Sequence, residues 1–279
     1  MDKCVLTNRL DEFIKELKYN ERAENTLKKY KGNIRGFIDY LDPDIEITKE
    51  NTLAYKQHLI DEEYRTSTIN SYIISVNKYL KWIGCPELVV KQLKQQRKNS
   101  IEEYLSIEDY KRMLRFAKAA RRMDIYYIMK ILAMTGIRIG ELEYFKVENL
   151  KSNYIKVTNK GKERSIVLRQ DLIRELRKYC KDYRIRKGYL FPGEVHGKMM
   201  NQSTIWRNMK KFAGRARVNK AKVHAHSFRH LFAKQFLNQY ENNITELADI
   251  LGHNSLETTR IYTRSSDAEK RKKMERMKY

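Results

Sequence analysis

The sequence predicts a mainly α protein of two domains: a four-helix N-terminal domain, and a C-terminal α+β domain with a small β-hairpin. Three observations carry this. Apolar residues recur at helical spacing over most of the 279 positions. The period changes to alternation in one place only, in two short segments on either side of a basic turn. A polar, basic stretch near residue 100 separates two blocks of very different charge. The expected boundaries are 1–95 for the first domain, 96–103 for a basic linker and 104–279 for the second domain.

Leu10, Phe13, Ile14 and Leu17 define the first helix, and Leu27, Tyr30, Ile34, Phe37, Ile38 and Leu41 the second, which ends at Asp42-Pro43-Asp44. A weaker helix covers Leu53 to Ile60. Ser67 can cap a fourth, with a face of Ile69, Tyr72, Ile73, Val76, Leu80 and Ile83, stopped by Gly84 and Pro86. In the second domain, Ser106 followed by Asp109 predicts a capped helix start. Ile125 to Met134 is apolar nearly all round and reads as a central buried helix ended by Gly136. Tyr154–Thr158 and Ser165–Leu168 alternate as strands, joined through Asn159 to Arg164. Helical text follows over Asp171–Lys181 and around Trp206–Ala213. It resumes from Ser227 to the end, with breaks at Asn242-Asn243 and Gly252.

Lys and Arg number 58 against 35 Asp and Glu, a net charge of +23, while 41% hydrophobic residues exclude a disordered polycation. The charge is uneven. Residues 1–99 hold 18 basic against 15 acidic side chains, and residues 100–279 hold 40 against 20. An excess concentrated in one domain points to a polyanionic partner. Three well-separated cysteines exclude a disulfide framework and suit a reduced, cytoplasmic setting. No apolar run reaches the length of a membrane span, since the longest, Ile125 to Ile137, is short and carries Lys130. The start has no apolar signal core.

His224, His226, His230 and His253 fall within thirty residues of one another. A metal site is one reading, because His226 and His230 share a helix face. Ser227 after His226, Arg229 between the pair and the lack of a nearby cysteine argue against it. Histidines satisfied within a helical core are the second reading. The third is phosphate chemistry, with His226 and Arg229 one turn apart and facing one anion. Leu251-Gly252-His253 ends one helix, and Asn254 or Ser255 can cap the next, which carries Thr258, Thr259, Arg260 and Tyr262. Upstream, Thr135-Gly136-Ile137-Arg138 puts an arginine at the mouth of the buried helix, with Glu141 one turn later.

Arg138 in TGIRIGEL, His226-x-x-Arg229, the LGH ending at His253 and Tyr262 in ETTRIYT stand in the order and approximate spacing of the tyrosine recombinases. The sequence resembles a phage-integrase or Xer-type member over about 104–279. The first part more loosely resembles the family's SAM-like core-binding domain. The resemblance implies cutting and rejoining of double-stranded DNA by transesterification through a 3′-phosphotyrosyl link, without metal or cofactor. It implies Tyr262 as nucleophile and Arg138 and Arg229 as clamps on the non-bridging oxygens. His226 is implied beside the phosphate as a hydrogen-bond donor and proton acceptor, His253 as a further donor, and Glu141 as the partner that orients Arg138. The leaving 5′-oxygen takes its proton from a hairpin lysine. The family pattern Gly-Lys-Gly stands here as Asn159-Lys160-Gly161, which selects Lys160, with Lys162 as the fallback.

The same resemblance implies a clamp of two domains on the duplex, with no length for a further N-terminal DNA-binding domain. It implies a homotetramer on two duplexes, with a charged tail from Ser266 to Lys278 packing on a neighbour. A type IB topoisomerase and a non-catalytic DNA-binding relative are the alternatives. The complete residue set opposes the binder, and the separate small helical domain opposes the topoisomerase.

Overall fold

The computed structural model describes residues 3–43, 46–94, 104–159, 162–240, 243–253, 255–263, 271 and 274–277. The side chains of Asn159 and Lys162 lie outside that description. The chain divides into two compact units, Met1–Arg97 and Lys98–Tyr279. The basic stretch expected to link them, 96–103, lies outside the described residues.

The first unit consists of α1 (Lys3–Tyr19), α2 (Glu24–Tyr40), α3 (Lys49–Asp61) and α4 (Thr66–Trp82). Its core is the inward face of these helices, including Leu6, Phe13, Ile34, Phe37, Ile73, Val76 and Leu80. Asn33 donates to Ser75 Oγ at 2.9 Å, and Tyr79 Oη donates to the Leu6 carbonyl at 2.5 Å, while the buried Thr52 hydroxyl has no hydrogen-bond partner among the described residues. One expectation needs correction. Helix α4 starts at Thr66, with Arg65 in the capping position, so Ser67 lies inside the first turn. The third helix exists, but Leu53 and Ile60, which marked its ends in the sequence, are exposed. Thr52, Tyr55 and Leu59 are the buried face, a polar and an aromatic residue that weaken the apolar pattern.

The second unit begins with α5 (Ile107–Ala119), whose first turn is capped by Ser106 Oγ accepting from the Asp109 N–H at 3.1 Å. Helix α6 (Met123–Thr135) is buried nearly all round and packs on the helix Ala225–Gln239. It ends at Gly136, which is left-handed at φ 63°. A Cβ there would lie 2.5 Å from Phe232 and 2.8 Å from Leu251, so only glycine fits. Two 3₁₀ segments, Ile139–Tyr144 and Val147–Lys151, lead into an antiparallel pair, β1 (Tyr154–Asn159) and β2 (Lys162–Val167). The ladder runs to Asn159 opposite Lys162, so the hairpin tip is shorter than the sequence suggested. Glu163 and Arg164 belong to the strand, and Leu168 lies beyond it. Helices α7 (Gln170–Asp182), α8 (Gln202–Arg215), α9 (Ala225–Gln239), α10 (Ile244–Leu251) and α11 (Leu256–Arg260) follow, then a 3₁₀ turn, Ile261–Thr263.

Five helices end on a charged residue in the left-handed conformation: Glu21 (φ 55°), Glu63 (54°), Arg121 (54°), Arg184 (56°) and Arg217 (53°). In each, the following N–H closes a six-residue loop back into the last turn, as Ile185 does on the Cys180 carbonyl at 2.8 Å. Most of the charged tail expected over 266–278 lies outside the described residues. Of its expected apolar face, Met274 and Met277 are exposed. Among the described residues, no helix is long and apolar enough to cross a membrane.

Candidate active site

The site is built at the C-terminal end of α10. Such an end leaves backbone carbonyls without helical partners and carries the negative pole of the helix dipole. Three consecutive carbonyls there accept from three arginines on three different elements. Ile250 accepts from Arg164 Nη1 at 2.7 Å, Leu251 from Arg229 Nη2 at 2.7 Å, and Gly252 from Arg138 Nη2 at a longer 3.5 Å. Gly252, left-handed at φ 64°, turns the chain so that His253 follows directly.

Arg229, from α9, is 1% exposed. Its Nη1 also donates to the Gly136 carbonyl at 2.8 Å, which ties it to the end of α6. Its Nη2 meets His253 Nε2 at 2.8 Å. A guanidinium only donates, so Nε2 is the acceptor and the imidazole carries its proton on Nδ1, 2.8 Å from Thr259 Oγ1. Burial lowers the Arg229 pKa and Arg138 lowers it further, while Tyr262 acts in the opposite direction.

Tyr262 is itself buried, at 3% exposure, in a small apolar cluster with Ala233, Leu237, Leu247 and Leu251. Its ring stacks on His253 at 5.9 Å and meets the edge of His230 at 4.6 Å. His230 in turn stacks on Tyr104 at 3.9 Å and lies 4.7 Å from the ring of His226. His226 is exposed. Burial pushes His253 down to about 4 and His230 down to about 3, and it lowers His226, with Arg229 adding to each. All three are therefore neutral at pH 7. His224 caps α9, its Nδ1 accepting from the Ser227 N–H at 3.2 Å, which gives it a structural task.

Glu141 is 3% exposed. It accepts the Arg138 backbone N–H at 2.8 Å and Arg164 Nη2 at 2.7 Å, whereas the Arg138 guanidinium is 3.5 Å away. Glu141 thus pairs with Arg138, as the resemblance implies, and more closely with Arg164. Arg164 is the residue of this cluster that sequence reasoning misses, because the polar run from Asn159 to Arg164 reads as a turn. The signal was its strand phase: Arg164 alternates with Ile166, whose side chain is buried, so it points inward too.

The fold therefore brings together Arg138, Glu141, His226, Arg229, His253 and Tyr262. Lys160 lies outside the described residues, and of Lys162 only its place in the ladder is described. Among the described residues no group of three His, Cys, Asp or Glu could hold a metal ion.

Residues 103–269 match the phage integrase family, and residues 10–85 match the phage integrase N-terminal SAM-like domain. The chain belongs to the phage integrase family: it is a tyrosine recombinase, an enzyme of site-specific DNA recombination. It is 26% identical to the tyrosine recombinase XerA of Pyrococcus furiosus, over 94% of this chain and 91% of that protein. It is 25% identical to the tyrosine recombinase XerD of Listeria monocytogenes, over 86% and 88%. Among solved structures, it resembles that of XerA recombinase, with TM-score 0.54 and 27% identity over 98% and 99% of the two chains. The fold is shared with a lambda integrase dimer bound to a core site, with TM-score 0.74 and 17% identity over 92% and 76%. The topoisomerase and non-catalytic alternatives are not favoured by these relationships.

Proposed function

We propose that this chain cuts and rejoins double-stranded DNA with Tyr262 as nucleophile and the arginines around the α10 terminus as its electrostatic machinery. The observation that carries this reading is the direct chain of contacts from Arg229 to His253 and Tyr262, with Arg138 and Glu141 at the same helix end. The Tyr262 oxygen attacks the scissile phosphorus, its proton passing to His226. The bond from phosphorus to the 5′-oxygen breaks, and that oxygen takes a proton from a hairpin lysine, Lys160 or the fallback Lys162. A 5′-hydroxyl from another strand reverses the step, so bond energy is conserved and no nucleotide is consumed. Charge gathers on the non-bridging oxygens in the transition state, where fixed cations stabilise it more than the ground state.

The carbonyl partners matter to this reading. A carboxylate would cancel an arginine's charge, whereas a carbonyl holds the guanidinium in place and leaves the charge for phosphate. Glu141 is the single carboxylate among the described residues paired with these three arginines. His253 Nε2 is committed to Arg229 in this state. A phosphate that draws Arg229 away frees Nε2. The Thr259 hydroxyl, which can donate as well as accept, then supports the tautomer that donates to the phosphate. Recombination of two duplexes by four such chains accounts for strand exchange.

The test is a nicked suicide duplex, which traps the covalent adduct. Tyr262→Phe is expected to form no adduct while binding the duplex as wild type does, because no phosphate-holding charge changes. An adduct with the Phe variant would move the nucleophile to another tyrosine.

A further inference from the structure

We propose that Arg164 is a positioning residue that fixes the hairpin lysine in register with the arginine–histidine cluster. The proposal rests on the reading above that a hairpin lysine protonates the leaving oxygen. Arg164 sits on β2, two residues beyond Lys162 and four beyond Lys160. One guanidinium joins three parts of the site. Nη2 grips buried Glu141 at 2.7 Å, and Glu141 holds the backbone N–H of Arg138 at 2.8 Å. Nη1 grips the Ile250 carbonyl at 2.7 Å, three residues before His253. The strand begins at Lys162, which pairs with Asn159.

The fit is close on every side. A Cβ on Gly252 would stand 2.5 Å from Arg164 Cδ, so the arginine stem occupies the space that a side chain at 252 would need. Arg164 Nε is buried and has no partner among the described residues. Leaving a buried donor unsatisfied is costly, and the two Nη anchors offset that cost. The arrangement trades one unmade hydrogen bond for a rigid link between a two-stranded hairpin and a helix end. Ile155, Val157 and Ile166 seat the hairpin's inner face in the apolar core, and Arg164 adds a polar anchor on the strand that carries Lys162. The other two arginines on the helix end are fixed by different elements, Arg229 from α9 and Arg138 from the end of α6. Arg164 ties β2 to them, while on β1 the Thr158 carbonyl accepts from Tyr144 Oη at 2.8 Å.

The experiment measures single-turnover cleavage by the full-length chain on ordinary DNA and on DNA with a 5′-bridging sulfur at the scissile phosphate. The sulfur leaves as a thiolate and needs little protonation. Arg164→Ala and Arg164→Lys are compared with Lys160→Ala and Lys162→Ala. The Lys variant keeps a cation beside Glu141, so the buried carboxylate stays paired and the fold is retained, but it cannot hold both anchors. Both Arg164 variants are expected to slow cleavage of ordinary DNA by about 10²-fold, the size of an ångström-scale misplacement. Both should recover most of that loss on the sulfur substrate, as the lysine variant does. Equal losses on the two substrates, with a hairpin-lysine variant still rescued, overturn the Arg164 proposal and leave the lysine reading standing. Wild-type rates on ordinary DNA overturn it also. If neither lysine variant is rescued, the lysine reading itself fails and takes the proposal with it.

Discussion

The two units bury different things. Among the described residues, the buried polar side chains of the first unit are Asn33, Thr52 and Ser75, all neutral. The second unit buries Arg229, Glu141 and His230, together with Thr135, Ser227 and Thr259. A buried charge is expensive unless fully paired, and here Arg229 and Glu141 are both buried beside one helix end. The first unit is thus built for stability around an apolar core. The second spends stability to hold cations close together where a phosphate can meet them. Surface charge follows the same division, with near balance in residues 1–99 and a large basic excess beyond.

The comparison is tested most severely by removing a buried polar group from each unit. Arg229→Ala is expected to reduce the cleavage rate by about 10²–10³-fold, the loss typical of an oxyanion-stabilising donor. Affinity for the duplex should change little, since many other basic residues hold it. Equal losses in cleavage and binding would make Arg229 a general DNA contact. Asn33→Ala, in the first unit, is expected to cost about 1–3 kcal/mol, because Ser75 Oγ and the Ser71 carbonyl lose the buried amide that donates to both. Denaturant unfolding should register that cost while the cleavage rate of bound DNA stays at the wild-type level. A rate loss for Asn33→Ala would erase the division of labour.

Acid sharpens the contrast. His230 and His253 are held down near 3 and 4 in the folded chain, against an ordinary value near 6.5 in the unfolded one. Below 6.5 the unfolded chain therefore takes up protons that the folded unit refuses. Their stabilising contribution is complete above pH 6.5 and is lost progressively as pH falls toward 4 and then 3. The only histidine among the first 97 residues is His58. Thermal unfolding followed between pH 7 and 5 should show the second unit's transition falling while the first unit's holds. A parallel fall in both would mean that the histidines do not control the acid response.

The smallest effect concerns helix ends. Charged residues occupy left-handed positions where glycine carries no steric cost. Glu21 and Glu63 in the first unit place an anion at the negative pole of a helix, whereas Arg121, Arg184 and Arg217 in the second place a cation there. Glu21→Gly should stabilise its unit by about 0.5–1 kcal/mol, because it relieves backbone strain and a poor charge placement together. Arg184→Gly should gain less, since the favourable cation is lost. Melting temperatures of the two variants decide the order, and a larger gain from Arg184→Gly would refute the electrostatic part.

Much of this was legible in the sequence, and the reasons are physical. Helices such as α2 and α6 were plain because their apolar residues repeat at the helical period or fill every face. The motifs around Arg138, Arg229, His253 and Tyr262 were plain because each combines a reactive side chain with a helix-ending glycine or cap. Ser67 misled because several residues at a helix start can cap, and the sequence does not say which adopts the extended backbone. The partnership of Glu141 with Arg164 was hidden because it joins residues 23 positions apart on elements of different type. The hairpin's short tip concealed it further, since a polar, basic run reads as loop even where its residues pair in register.

The arginine anchors at the end of α10 have a consequence for how this site tolerates change. Their acceptors are the peptide oxygens of Ile250, Leu251 and Gly252, and such oxygens belong to every amino acid. No exchange of side chain at 250 or 251 deletes an acceptor. What can delete one is a change in the path of the chain: an unwound last turn, or a residue at 252 too large for its left-handed bend and for the Arg164 stem against it. Drift at 250 and 251 is thus limited by helix formation and by packing in the apolar core, not by the chemistry a few ångströms away. Gly252, with no side chain at all, is the position through which inheritance keeps hold of all three cations.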